Sequence, residues 1–292
     1  MTDQQSTPVA EQPENQPQTK KSRAGRDLPA AIAVGVALGA MAIGILLFAP
    51  IWWLALVAVA IAIATHEVIR RMREHGYALP VVPLLVGGQA MIWLTWPYGA
   101  AGLLGAYGGT VIVCMVWRLL GQGLGQPPVN YLGDIAAAVL LATWVPMFAA
   151  FSALLIFADD GGVRVFTVIV TVVFADIGGY VAGVLFGRHL MVPAISPKKS
   201  WEGLGGSLLF GIGAAVVTVT FLLDKPAWVG VPLGLMLVIT GVLGDLVESQ
   251  VKRDLGIKDM GTLLPGHGGL MDRIDAMLPS AVAGWAVLTL LA

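Results

Sequence analysis

Acidic side chains recur inside apolar segments near the C-terminus of this chain. Asp245 and Glu248 lie three residues apart in GVLGDLVESQVKRD, and Asp272 and Asp275 have the same spacing in GHGGLMDRID. This spacing places both carboxylates of each pair on one face of a helix. An acidic residue at the centre of a membrane helix costs about 2.5–3.5 kcal/mol on insertion scales, so each pair calls for a function. Carboxylates from separate helices suit a Mg²⁺ ion that is bound together with a substrate phosphate.

A structural interpretation of the same acids is that they pair with basic neighbours. It is strongest for Glu248, because Lys252 follows one helical turn later. It is weaker for Asp245 and Asp272, whose basic neighbours are themselves clustered as if for a ligand. Asp176, inside VVFADIGGYVAGVLFG, is open to two interpretations. It either contacts a substrate or holds its own helix in place.

Basic and hydroxyl side chains are concentrated in residues 187–203, GRHLMVPAISPKKSWEG. Two prolines break helical continuity here, so the segment is predicted to be a connecting loop. Its donors suit phosphate oxygens and are Ser196, Lys198, Lys199 and Ser200. Alternatively, the two lysines only fix the membrane topology or contact anionic lipid headgroups.

Glycines surround His267 in PGHGG, residues 265–269. Glycines allow the backbone to approach a ligand closely and to present its N–H groups. The following Asp272 and Arg273 begin a helix, near whose N-terminus a phosphate is favoured. His267 could be a general base, a phosphate donor or a structural loop residue.

The composition indicates an integral membrane protein. Of the 292 residues, 57% are hydrophobic and 12% are charged, and the mean hydropathy is +0.81. A soluble domain carries about 25% charged residues. The single cysteine, Cys114, excludes an intramolecular disulfide and a metal–thiolate cluster. Residues 1–27 are polar and rich in Gln and Pro, which predicts a disordered cytoplasmic tail.

About nine membrane-spanning helices are predicted, which makes the fold an all-α, polytopic membrane domain over residues 28–292. A helix needs about 20 mainly apolar residues to cross the hydrocarbon core. The candidate segments are 28–49, 51–69, 79–97, 99–120, 132–157, 163–187, 203–223, 230–251 and 274–292. With the N-terminus inside, all 17 basic residues except Arg164 and Lys225 fall in cytoplasmic segments. The positive-inside rule therefore predicts a cytoplasmic N-terminus and an external C-terminus.

Residues 249–275 resemble the signature of the phosphatidate cytidylyltransferase family, also called CDP-diacylglycerol synthases. The matching positions are Ser249, Lys252 and Arg253, Lys258 and Asp259, residues 265–269, and Asp272, Arg273 and Asp275. A second landmark is similar, and it consists of Asp176 with GGY, then Gly187 and Arg188, then ISPKKSWEG. Many relatives carry Thr where this chain has Ser200, a change that keeps the hydroxyl. The similarity covers roughly residues 28–292.

The resemblance implies transfer of a cytidylyl group from CTP to phosphatidic acid, with Mg²⁺ alone or with a second cation, monovalent or divalent. It implies a homodimer in the cell membrane, with the active site facing the cytoplasm and no nucleic-acid partner. Asp245 and Asp272, with Glu248, are the predicted metal ligands. The predicted catalytic and phosphate-binding side chains are Lys198, Lys199, Lys252, Arg253, His267 and Arg273. Further predicted substrate contacts are Asp176, Ser196, Ser200, Lys258, Asp259, Gly268, Gly269 and Asp275.

Two alternatives remain open at the level of the sequence. One is a lipid-alcohol kinase or a CTP-using relative that acts on another lipid acceptor. The other is a proton-coupled transporter with Asp176, Asp245 and Glu248 as relays. Transport would need neither the glycine-flanked His267 nor the Lys198 and Lys199 loop. It would also favour carboxylates spread across the membrane rather than gathered at one face.

Overall fold

The computed structural model describes residues 39–49, 51–123, 125–263 and 268–292. The predicted tail, residues 1–27, lies outside the described residues, as do residues 28–38 of the predicted first span. His267, whose role the sequence leaves open, also lies outside them.

The described chain is helical apart from one short hairpin. Its helices are α1 (Gly39–Phe48), α2 (Trp52–Glu74), α3 (Val81–Trp93), α4 (Thr95–Leu120), α5 (Tyr131–Ala142), α6 (Phe148–Leu155), α7 (Gly161–Phe186), α8 (Trp201–Phe221), α9 (Ala227–Asp254), α10 (Met271–Ile274) and α11 (Met277–Leu291). A π-helical segment, Thr143–Met147, joins α5 to α6 and contains Pro146. Because proline has no N–H to donate, it is accommodated where the helical hydrogen bonding is already locally rearranged.

Seven helical segments of the described chain are long and apolar enough to cross a membrane, which confirms a polytopic membrane protein. They are Trp52–Glu74, Thr95–Leu120, Tyr131–Leu155, Gly161–Phe186, Trp201–Phe221, Ala227–Asp254 and Met271–Leu291. The predicted first and third spans correspond to the shorter helices α1 and α3. The third is divided because the helix ends at Trp93 and α4 starts at Thr95. The total of nine spans therefore stays a prediction.

The loop predicted at residues 187–203 contains a β-hairpin. Strand β1 (Leu190–Val192) pairs antiparallel with β2 (Ser196–Ser200). Pro193 lies in the turn and Pro197 lies in β2. In a two-stranded sheet both strands are edges, where a proline need not break a ladder hydrogen bond. Helix α7 already ends at Phe186, before either proline, so the segment is a connection as predicted, and its prolines do not prevent strand pairing.

A buried ion pair fixes the start of α5 against the end of α4. The Arg118 Nε lies 2.7 Å from an Asp134 carboxylate oxygen, and both side chains are buried. The other Asp134 oxygen accepts a hydrogen bond from the Ala78 N–H at 2.9 Å. A buried charge is tolerated where it is paired and hydrogen-bonded in this way. Asp134, which the sequence analysis did not single out, is therefore a packing residue.

Glycines bring α7 and α8 into close contact. A Cβ added to Gly206 of α8 would lie 2.4 Å from the Ala182 Cβ and 2.4 Å from the Gly178 carbonyl oxygen. A Cβ added to Gly178 of α7 would lie 2.6 Å from the Gly206 carbonyl oxygen. Small residues allow backbones to approach where no hydrophobic force drives helices together in lipid. This contact fixes α7 and α8 side by side.

We expect Gly206→Ala to destabilise the protein, because the added methyl group must push α7 and α8 apart. Overpacking of this kind costs about 1–3 kcal/mol. The matched control is the neighbouring Gly205→Ala, since a Cβ there meets nothing within 4 Å. Thermal unfolding in detergent should show a lower melting temperature for Gly206→Ala alone. Equal melting temperatures for the two variants would contradict this packing.

Candidate active site

A charged cavity of about 450 Å³ lies between α7, α8, α9, α10 and the hairpin. The α7 and α8 backbones form part of its wall, where their glycines leave room. Its charged lining residues are Asp176, Lys198, Lys199, Asp245, Asp272 and Asp275. Ser196 and Ser200 also line it. The structure thus brings together most of the acids and donors that the sequence analysis singled out.

Three carboxylates form the acidic centre of this region. One oxygen each of Asp245, Glu248 and Asp275 lies within 4.8 Å of the others. Asp245 and Glu248 share one face of α9, as their spacing predicts. Asp275 follows α10 and comes close because Gly244 of α9 packs against its backbone. A Cβ on Gly244 would lie 2.6 Å from the Asp275 carbonyl oxygen.

The three carboxylates have the chemistry of a divalent-cation site. Glu248 is 1% exposed, and its Oε1 accepts no hydrogen bond within the described part of the chain. A buried carboxylate oxygen without a partner is costly unless a cation or another donor occupies its lone pairs. Oxygen donors at this spacing are the ligands that Mg²⁺ prefers. The donor set therefore fits a hard divalent cation.

Asp272, a predicted metal ligand, makes a different set of contacts. Its Oδ1 lies 2.9 Å from the Lys252 ammonium. Its Oδ2 accepts hydrogen bonds from the Gly269 N–H at 2.8 Å and the Met260 N–H at 3.0 Å. The carboxylate therefore joins the two described parts of the glycine-rich segment, residues 259–263 and 268–271, while still lining the cavity. A ligand role for Asp272 stays a prediction, and Asp275 joins Asp245 and Glu248 as a candidate ligand.

Two lysines contact the acidic centre from opposite sides and offset part of its negative charge. The Lys199 Nζ lies 2.6 Å from an Asp245 oxygen. On the other side the Lys252 Nζ lies 2.5 Å from a Glu248 oxygen. The ion pair of Glu248 with Lys252 that the sequence suggested is thus present, and Glu248 also belongs to the acidic cluster. Lys198 is exposed and lines the cavity with its charge available to a ligand.

Several predicted site residues lie away from the lining of this cavity. The Arg253 side chain donates to the Ile195 carbonyl oxygen in the turn of the hairpin. Lys258 is exposed and is not among the lining residues. Arg273 lines a second cavity, of about 530 Å³ and mostly apolar, beside α2, α7 and α11. Roles for these three cations in substrate binding stay predictions.

Asp259 lies in the first described part of the glycine-rich segment, and Gly268 and Gly269 lie in the second. Gly268 has φ +85°, a conformation that side chains other than glycine rarely adopt. A Cβ on Gly268 would lie 3.1 Å from an Asp272 oxygen and 3.3 Å from an Asp259 oxygen. These residues shape the backbone around Asp272. Whether they contact a substrate stays a prediction.

Glu67 of α2 contacts the same segment and was not singled out from the sequence. Its Oε2 accepts a hydrogen bond from the Met271 N–H at 3.0 Å. One turn later, the Arg71 Nε donates to the Met260 carbonyl oxygen at 3.0 Å. The available signal was an acid in the apolar run of α2, in AIATHEVIRR. An acid in such a run requires an explanation by the same argument as Asp245.

Comparison with known proteins gives a consistent set of relatives. The profile of the cytidylyltransferase family matches residues 29–291. A phosphatidate cytidylyltransferase of Mycobacterium bovis is 58% identical over 294 residues, which cover 97% of this chain and 96% of the relative. A phosphatidate cytidylyltransferase of Mycobacterium tuberculosis is also 58% identical, over an alignment that covers 97% of this chain and 90% of the relative. One of Mycobacterium leprae is 58% identical over 280 residues, with 92% and 90% covered.

We expect Glu248→Gln and Asp275→Asn each to weaken Mn²⁺ binding at least tenfold. Even outer partners of a metal ligand change affinity by about 10–100-fold, and these side chains would touch the ion. Free Mn²⁺ can be titrated by electron paramagnetic resonance on purified protein. Asp254→Asn is the control, since Asp254 is exposed at the end of α9 and accepts from Gln250. Unchanged affinity in Glu248→Gln would remove this cluster as the cation site.

Asp272→Asn separates the two predicted ligand sets in the same titration. If Asp245, Glu248 and Asp275 hold the ion, Asp272→Asn should weaken Mn²⁺ binding less than Asp275→Asn does. The reverse order would restore Asp272 as a principal ligand.

Proposed function

The chain belongs to the cytidylyltransferase family, and from this membership we propose that its charged cavity transfers the cytidylyl group of CTP to phosphatidate. The products are CDP-diacylglycerol and pyrophosphate. The observation that carries this assignment is the 58% identity to phosphatidate cytidylyltransferases over nearly the whole chain. The relatives named in the comparison favour neither a lipid-alcohol kinase nor a transporter.

The reaction joins two anions. A phosphate oxygen of phosphatidate attacks the α-phosphorus of CTP, the bond to the bridging oxygen of the β-phosphate breaks, and pyrophosphate leaves with the electron pair. The nucleophile is already ionised, so no strong general base is required. What the protein must supply is positive charge and correct placement of both phosphates.

The cations of the cavity wall can supply part of that charge. Lys198 and Lys199 are neighbours on strand β2, and both line the cavity. The Lys199 ammonium contacts Asp245 of α9. Ammonium groups at these positions bind triphosphate oxygens and stabilise the charge that develops on the leaving pyrophosphate. The Ser200 hydroxyl accepts from the Gly203 N–H and caps α8. Its main contribution is therefore to hold the hairpin and the helix together at the cavity.

The acidic cluster is the proposed holder of Mg²⁺, with Asp245, Glu248 and Asp275 as its ligands. When bound, Mg²⁺ supplies a Lewis acid that neutralises triphosphate oxygens. Lys252 keeps the Glu248 and Asp272 carboxylates in place through its two short contacts. Asp272 is the candidate for a second cation, because it lies against the same cavity. Asp176 adds a further carboxylate to the opposite wall, on α7.

The membrane orientation follows from the charge distribution. We place the N-terminus and the charged cavity on the cytoplasmic side of the cell membrane, where CTP is made. Arg70, Lys198 and Lys252 then fall inside, while Arg164 and Lys225 fall outside. The homodimer implied by the resemblance remains part of this proposal. The cavity lies near the end of α7 and the start of α8, where a lipid phosphate at the membrane surface could enter.

We expect Lys199→Met to lower kcat about 100-fold, because the substituted side chain retains length but loses the charge beside the phosphates. One lost electrostatic contact in a transition state typically costs this much. Turnover of labelled CTP with phosphatidic acid and Mg²⁺ measures it. Lys225→Met, at the opposite end of the bundle, is the matched control. Wild-type protein that forms no CDP-lipid would contradict the assigned activity, and an unaffected Lys199→Met would contradict the assigned role.

We expect a divalent-cation chelator to abolish turnover, and added Mg²⁺ to restore it fully. The acidic cluster repels a triphosphate unless a cation neutralises it. Activity that persists in excess chelator would exclude a divalent cation from the reaction.

We expect a cysteine at Arg70 to react with a membrane-impermeant maleimide only when the cytoplasmic face is exposed. A cysteine at Asp159 should react only from the opposite face. Both positions are exposed, and the natural Cys114 is buried and gives little background. Labelling in sealed vesicles of known orientation measures the difference. Reversed accessibility would invert the proposed topology.

A further inference from the structure

Glu67 is a buried carboxylate that lies outside the lining of the charged cavity. Only 9% of the residue is exposed, and it belongs to α2, 204 residues away in sequence from Met271, which it contacts. Its Oε2 accepts the Met271 N–H at 3.0 Å, and its Oε1 accepts no hydrogen bond among the described residues. Burying a carboxylate with so few donors is unfavourable for folding. Stability alone therefore does not explain this residue.

Two glycines pack directly against the Glu67 carboxylate. A Cβ added to Gly261 would lie 2.2 Å from Oε1, and one added to Gly269 would lie 2.7 Å from Oε2. These glycines come from the two sides of the glycine-rich segment. Glu67 thus fills the space between the segment's ends, and only residues without a side chain allow this approach.

Asp272 holds the same backbone through other groups. Its Oδ2 accepts hydrogen bonds from the N–H groups of Met260, which precedes Gly261, and of Gly269. Arg71 of α2 holds the Met260 carbonyl oxygen as well. The segment is therefore fixed between α2 and the carboxylate of Asp272. Because Asp272 lines the cavity and Asp275 follows one turn later, a shift of this segment moves both acids.

We propose that Glu67 is a positioning residue for cytidylyl transfer, which fixes the glycine-rich segment and so aligns Asp272 and Asp275 in the cavity. It acts through Met271, Gly261 and Gly269, without touching the substrates. This inference rests on the function proposed above. Lys198 and Lys199 bind the triphosphate from the hairpin, on the other side of the cavity. Loss of Glu67 therefore changes the rate of reaction more than the binding of CTP.

The first test is the split between kcat and KM in Glu67→Ala. Per folded molecule, kcat should fall about 10–100-fold, the range for residues that orient groups in a site. The KM for CTP should change much less. Glu67→Gln keeps the size and one acceptor oxygen for the Met271 N–H, and it should recover most of the rate. His66→Gln is the control, since His66 is the exposed neighbour on α2.

A second test substitutes Gly261, the glycine that packs against the Glu67 carboxylate. Gly261→Ala inserts a methyl group against Glu67 Oε1 and should lower kcat. Glu67→Asp alone should also lower kcat, because the shorter side chain withdraws from Met271. In the Gly261→Ala background, however, Glu67→Asp should raise kcat, because it makes room for the methyl group. This reversal of sign follows only if the direct contact sets the position of the segment.

The outcomes separate this inference from the activity itself. Wild-type protein without CDP-lipid formation contradicts the proposed function and the inference with it. An active wild type with an unchanged kcat in folded Glu67→Ala overturns the inference alone. If Glu67→Ala does not fold, the Gly261→Ala pair decides, and a further loss of kcat on adding Glu67→Asp overturns the inference. A lower melting temperature with normal kcat in each variant would reduce Glu67 to a structural role, which also overturns it.

Discussion

Mutual repulsion of carboxylates is the constraint around which the described helices are arranged. Asp245, Glu248 and Asp275 place oxygens within 4.8 Å of one another, and Glu248 is almost fully buried. Two like charges about 4 Å apart repel by roughly 4 kcal/mol at the effective dielectric of a partly buried site. Lys199 and Lys252 offset part of this repulsion from opposite sides. The remaining excess of negative charge is the reason why we propose a divalent cation, and with it a polyphosphate substrate, at this position.

The surrounding packing can be understood from the need to bring these groups together. Gly244 lets the Asp275 backbone reach α9, and Gly178 and Gly206 let α7 and α8 meet closely enough to form one wall. The hairpin formed by the proline-containing connection places Lys198 and Lys199 at the cavity. On the side of the cavity opposite the hairpin, Glu67 and Asp272 accept hydrogen bonds from the backbone of the glycine-rich segment. Sites that need short distances between charges require small residues in the helices that carry them.

The sequence predicted features that depend on local pattern and missed those that depend on distant contacts. Apolar length predicted the long spans, and a spacing of three residues placed Asp245 and Glu248 on one face of α9. By contrast, Asp272 and Asp275 are equivalent in spacing, and only the fold shows that backbone N–H groups surround Asp272. Glu67 was missed because Met271, whose N–H it accepts, is 204 residues away. The hairpin was predicted as a loop, since two prolines obscured its strand pairing.

The most direct test of this account is the position of a bound divalent cation. Crystals of the protein grown with Mn²⁺ and a non-reactive CTP analogue would locate the ion by its anomalous scattering. The account predicts a peak about 2.0–2.3 Å from carboxylate oxygens of Asp245, Glu248 and Asp275, close to the distances of hard divalent cations. A single peak bound by Asp272 and the triphosphate, with no ion at Asp245, Glu248 and Asp275, would contradict it.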